Sequence, residues 1–117
     1  MKRNKSFLSS KIIYLSEQTG DTENIFKDRL KILFEKWNLI EKAYLVTITY
    51  ANNNSIFVAL CLRLSKYDNK NKILQEIKNI FTNMFNSDQQ LDIIFLNDSE
   101  EETIKRKCNP FFINKNK

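Results

Sequence analysis

The side chains that could do covalent or metal chemistry in this sequence are few: two cysteines, Cys61 and Cys108, and an acidic run formed by Asp98, Glu100, Glu101 and Glu102. Histidine is absent. Its absence removes Cys-His and Ser-His-Asp catalysis and the commonest transition-metal ligand. The cysteines stand singly in apolar or helical surroundings and form no C-x-x-C pair, so they cannot build a structural zinc site, and we expect both to be buried small hydrophobes. The acidic run has the look of a metal site or a carboxylate pair. It is followed by Lys105, Arg106 and Lys107, however, and acids at the start of a helix with bases at its end match the helix macrodipole with no further assumption. Gly20 is the only glycine, which argues against a phosphate-cradling loop. An enzyme here would have to work with Asp, Glu, Lys, Tyr or Cys alone, and no pair of these stands at convincing spacing. We therefore expect no catalysis, no metal and no cofactor.

The elements that position these residues follow from periodicity. Lys11 to Leu15 (KIIYL) reads as a short strand, and Gly20 suits the turn after it, with Asp21 or Thr22 as the cap of the next helix. Phe26, Leu30, Leu33, Phe34 and Trp37 recur at helical spacing and predict an amphipathic helix over about Glu23 to Asn38. Glu41 to Tyr50 and Ser55 to Leu64 form a hairpin joined through Asn52 to Asn54. In its second strand Ile56, Val58, Leu60, Leu62 and Leu64 line one face, and Phe57, Ala59, Cys61 and Arg63 the other. The first face is core. The second is apolar enough to need cover, by a chain end, a second copy or a partner. Ile73, Leu74, Ile77, Ile80, Phe81, Met84 and Phe85 predict a second helix ending near Asn86. Leu91 to Leu96 is a buried strand, and Ser99 and Glu102 stand at capping-box spacing at the start of a helix running to about Cys108. Pro110 ends that helix, and Phe111 to Ile113 can lie back on the sheet. The order is β-α-β-β-α-β-α with a short extended end. It predicts an α+β domain over 1–117, an antiparallel sheet with helices on one face in the split β-α-β manner of ferredoxin-like folds. Leu60, Leu62, Ile93, Phe95, Phe34, Trp37, Ile77 and Phe81 should share one core.

A chain of 117 residues, 42% hydrophobic, suits one compact unit. It has no apolar run of about 20 residues, and its basic start lacks a signal-peptide pattern, so we expect no membrane span and a cytoplasmic location. The net charge of +5 is concentrated at the ends. Lys2, Arg3, Lys5 and Lys11 precede the first acid, and Lys105, Arg106, Lys107, Lys115 and Lys117 follow the last. No aromatic platform is interleaved and no standard nucleic-acid motif is present, so solvated tails are favoured over a nucleic-acid partner.

The IIYL strand, the hairpin strand with Ala43-Tyr44-Leu45, and the ending LDIIFLNDSEEE with Lys107-Cys108-Asn109-Pro110-Phe111-Phe112 resemble the C-terminal domain of the SseB (enhanced serine sensitivity) family, from about Lys11 to Ile113. The resemblance implies an α+β fold and a non-catalytic role, and it carries over no active site. It leaves two readings of function. One is an immunity protein of a bacterial toxin system such as contact-dependent growth inhibition; the other is an SseB-like housekeeping adaptor or regulator. Either would bind a protein, and Tyr50, Phe57, Arg63 and Tyr67 are the candidate contacts, with Asn52 to Asn54 at the edge. The excess of positive charge favours an acidic docking surface on a toxin domain. A homodimer through the open sheet face is the further possibility.

Overall fold

The computed structural model describes residues 12–51, 53–65, 70–85 and 90–114. The two periodicities resolve into β1 (Ile12–Glu17), α1 (Asp21–Trp37), β2 (Ile40–Tyr50), β3 (Asn53–Leu64), α2 (Lys70–Met84), β4 (Leu91–Phe95), α3 (Asp98–Ile104) and β5 (Phe112–Ile113). The fold is α+β, as the element order predicts. The strands form one sheet in the order β1-β2-β3-β4, with β5 beside β2. β1, β3 and β5 run antiparallel to β2, whereas β4 runs parallel to β3. The sheet is therefore mixed, not wholly antiparallel, and it lacks the interleaved strand order of a ferredoxin-like domain. The β3-α2-β4 segment is the cause: the helix carries the chain back along the sheet, so the next strand enters in the same direction.

One sheet face packs under α1 and α2. Phe26, Leu30, Leu33 and Phe34 from α1 and Ile73 and Ile77 from α2 meet Ala43, Leu45, Leu60, Leu62 and Leu64, with Phe112 closing the side. Ile93, Phe95, Phe81 and Trp37 join this core from its margin as partly buried residues. Trp37 ends at the rim, where its indole N–H donates to Glu76 (2.8 Å) and the Lys72 ammonium lies 5.5 Å from its ring centre. The N-cap of α1 is Gly20, with no side-chain cap, so neither Asp21 nor Thr22 serves; both stand inside the helix. At its other end Asn38 takes the left-handed conformation (φ 57°) that stops a helix, and its side-chain oxygen accepts a hydrogen bond of 2.6 Å from Asn114. That bond ties the C-terminal segment to α1.

The second face is covered from within the chain at one end. Tyr14, Tyr44, Val46, Ile48, Ala59 and Cys61 pack with Leu96, Ile104 and Cys108, so α3 and the turn after it form a lid over this part of the sheet. The expected extended tail also holds: β5 pairs with Lys42 and Ala43 of β2. Among the described residues no helix is long and apolar enough to cross a membrane.

Beneath the lid the Tyr14 hydroxyl is buried with no hydrogen-bond partner among the described residues. Tyr44, by contrast, donates to Glu101 at 3.0 Å. A satisfied hydroxyl contributes about 1 kcal/mol, whereas an unsatisfied one carries an uncompensated desolvation cost. Tyr14→Phe is thus expected to be neutral or stabilising in urea unfolding, and Tyr44→Phe to destabilise by about 1 kcal/mol or more. Equal losses in the two variants would mean that Tyr14 has a partner.

Candidate functional site

The lid is built from an unusually complete set of local bonds. Asn97 is the N-cap: its side chain accepts from the Glu100 N–H (2.8 Å), and the Glu100 carboxylate accepts from the Asn97 N–H (2.9 Å). The capping box thus lies two residues before the Ser99 and Glu102 spacing, because Asp98 already has helical geometry. Asp98 and Glu101, three residues apart on one helix face, turn toward the sheet. Arg63 of β3 pairs with Asp98, lies 3.8 Å from Glu101 and 4.0 Å from Glu41, and donates to the Leu96 carbonyl at 3.2 Å. Lys42 lies 3.6 Å from Glu101. The acidic run is more than solvated charge matched to a dipole, since two of its members clamp α3 to the sheet. Arg63, a candidate contact from sequence, has its guanidinium taken up by carboxylates of its own chain.

Both thiols lie under this lid. Cys61 is fully buried and Cys108 is 4% exposed, as expected of small core residues. Burial pushes the Cys61 thiol far above its ordinary range and raises that of Cys108 to about 11, with the Glu17 carboxylate adding to the rise. At neutral pH both are protonated and shielded, which is the opposite of what a thiolate nucleophile needs. Among the described residues no three metal-ligating side chains converge.

The lid stops short of the hairpin end, and there the same face holds Tyr50, Phe57 and Ile12, with Ile94, beside Cys61, at the border of the lid; all four are half-buried. The rings of Tyr50 and Phe57 meet edge to face, with centres 5.6 Å apart and planes at 61°. The Tyr50 hydroxyl donates to Asp92 at 2.8 Å, and the other oxygen of that carboxylate accepts from the Gln90 amide at 3.0 Å. Burial, followed by this bond to Asp92, raises the Tyr50 hydroxyl to about 12, so it stays a neutral donor. Beside this patch runs β4, which has β3 on one side and no described strand on the other. A concavity of about 430 Å³ follows that free edge, lined by Tyr50, Leu74, Lys78 and residues of β4.

Of the four candidate contacts, the fold brings Tyr50 and Phe57 together. Arg63 lies six residues from Phe57 along β3, a separation of roughly 20 Å at strand rise, so the fold does not bring it beside that pair. Tyr67 and Asn52 lie outside the described residues, and so do the side chains of Asn53 and Asn54. The sequence does not single out Asp92 or Ile12 as contacts. Asp92 had a signal, as the one charged residue in an otherwise apolar strand.

A family model described as the SseB protein C-terminal domain matches residues 11–113. No curated protein and no solved structure shows significant similarity to the chain.

Proposed function

The chain belongs to the SseB C-terminal domain family, and from that premise we propose that it is a non-catalytic, cytoplasmic protein-binding domain: an immunity protein that neutralises a cognate bacterial toxin by direct contact. The observation that carries this reading is the half-buried Tyr50 and Phe57 pair on the part of the second sheet face that α3 does not cover. A toxin antagonist must bind at nanomolar affinity or better, about −12 kcal/mol, and such affinity comes mainly from a few rigid aromatic anchors in a desolvated centre. Tyr50 is held in place by Asp92 and Phe57 before any partner arrives, so little rotamer freedom is lost on binding. Ile12 and Ile94 extend the apolar centre, and the free edge of β4 offers backbone donors and acceptors at its border. The net charge of +5 favours an acidic docking surface on the toxin and an association rate that falls as salt is added. No cofactor enters this mechanism.

The test is co-expression with a toxin encoded beside this gene. Cells should survive with the wild-type protein and die with a Tyr50→Asp, Phe57→Asp double variant whose circular dichroism is native. Arg63→Ala serves as the contrast: it should loosen α3, seen as faster amide exchange at Ile104 and Cys108, while protection from the toxin persists. Survival with the double variant would remove this face from the proposal. If no toxin gene neighbours this one, the same patch is better assigned to an SseB-like adaptor, or to a homodimer if sedimentation shows a dimer that the double variant abolishes.

A further inference from the structure

On the opposite side of the sheet from α3, a cleft of about 320 Å³ opens where α1 and α2 meet the hairpin end. Four phenylalanines line it, Phe26, Phe57, Phe81 and Phe85. Phe81 and Phe85 stack with centres 4.7 Å apart, and Phe26 meets each of them edge on at 5.8 and 5.6 Å. Ile56 stands at the mouth, 66% exposed although it is a large apolar residue. The polar side chains of the lining are Glu23 and Gln90. Glu23 forms no ion pair with any described residue. Its carboxylate lies over Gly20, in space that a side chain at that position would fill. The Gln90 amide nitrogen is engaged by Asp92, which leaves its carbonyl oxygen as an acceptor.

We propose that this cleft is a binding site for a small amphiphilic amine, a molecule with an ammonium group on a short aromatic or branched apolar arm. The apolar walls and the volume suit a ligand of that size. The polar rim chooses its charge, because Glu23 supplies a carboxylate and Gln90 a carbonyl acceptor, and an ammonium is a donor without acceptors. The phenyl faces add attraction for the cation once it is partly desolvated. An anionic ligand of the same shape meets Glu23 with like charge. A neutral alcohol keeps the apolar contacts and loses the ion pair. The site borders the proposed toxin contact, since Phe57 lines the cleft and Gln90 bonds the Asp92 that holds Tyr50, but the residue that sets the ligand's charge, Glu23, lies on α1 away from that contact.

The experiment is an NMR titration of the whole chain with phenethylammonium, phenethyl alcohol and phenylacetate, followed through backbone amides. Saturable shifts at Phe26, Ile56, Phe81, Phe85 and Gln90 are expected with the amine, weaker binding with the alcohol, and none with the acid. Glu23→Gln should weaken the amine about tenfold and leave the alcohol unchanged. Ile56→Lys, at an exposed position, should place a tethered ammonium at the mouth and compete with the amine, which keeps the test decisive if Glu23→Gln disturbs the helix start. Equal binding of all three probes, shifts that map elsewhere, or no saturation in the wild type would overturn the assignment.

Discussion

Replacing Phe34 with alanine is expected to destabilise the protein by about 3–5 kcal/mol, the range for removing a fully buried aromatic side chain. Phe34 is wholly inaccessible, in the fourth turn of α1, and its ring meets Phe112 edge to face at 5.5 Å and lies 6.4 Å from Phe111. It therefore joins two elements far apart in sequence. Its loss leaves a cavity that the sheet cannot fill by collapse, because Ala43 and Leu62 are held by ladder pairing on both sides. Domain stabilities of about 5–15 kcal/mol make this a large share of the total. The consequence should be local as well as global. The Phe111 N–H bonds the Ala43 carbonyl and the Asn114 N–H bonds that of Glu41, both at 2.9 Å, and these amides should lose exchange protection first. Urea unfolding with an unchanged slope and a lowered midpoint is the expected result. A loss below about 1 kcal/mol would mean that α1 is not seated on the sheet as described.

The parts of this fold that were legible in the sequence are those set by local period. The spacing of Phe26, Leu30, Leu33, Phe34 and Trp37 admits only a helix with one apolar face, and alternation from Ile56 to Leu64 assigns each residue of β3 to its side of the sheet. Strand direction was not legible, since it depends on the path taken by a whole connection. Both α1 and α2 join two strands, yet β1 and β2 are antiparallel neighbours while β3 and β4 are parallel ones. The cover of the second face was open for a similar reason. Nothing within β3 says whether Cys61 meets a tail, a copy or a partner; the answer lies in Ile104 and Cys108, more than forty residues later. Arg63 shows the same limit for charge. The carboxylates that surround it come from α3 and from β2, and their approach is a tertiary event. Tyr50 and Phe57 meet diagonally, since Phe57 pairs with Ile48 and Tyr50 stands two residues further along the same face of β2.

Alkaline pH should unfold the protein from the lidded face. Five protonated groups cluster there, Tyr14, Tyr44, Tyr50, Cys61 and Cys108, and in every one burial raises the pKa. The folded state therefore holds protons that the unfolded chain gives up, from about pH 9.0 for the thiols and 10.0 for the tyrosines. Stability is then fully present below pH 9. It falls as pH rises through the folded values, about 11 for Cys108, about 12 for Tyr50, and higher for the other three. At roughly 1.4 kcal/mol per unit, each buried thiol weighs against folding by about 2–3 kcal/mol two units above its ordinary value. Two thiols together then approach the lower end of domain stability before any tyrosine is counted. The measurement is a pH titration that follows far-ultraviolet circular dichroism and tyrosinate absorbance together. Tyrosinate from Tyr14 and Tyr44, the two buried rings, should appear with the loss of structure and not before it. Cys61→Ala should flatten the decline of stability between about pH 9.5 and 11 by about 1.4 kcal/mol per pH unit, because it removes one of the protons that couples to folding. An unchanged slope in that variant, with tyrosines ionising near pH 10 in a protein of native dichroism, would mean that α3 does not seal this face.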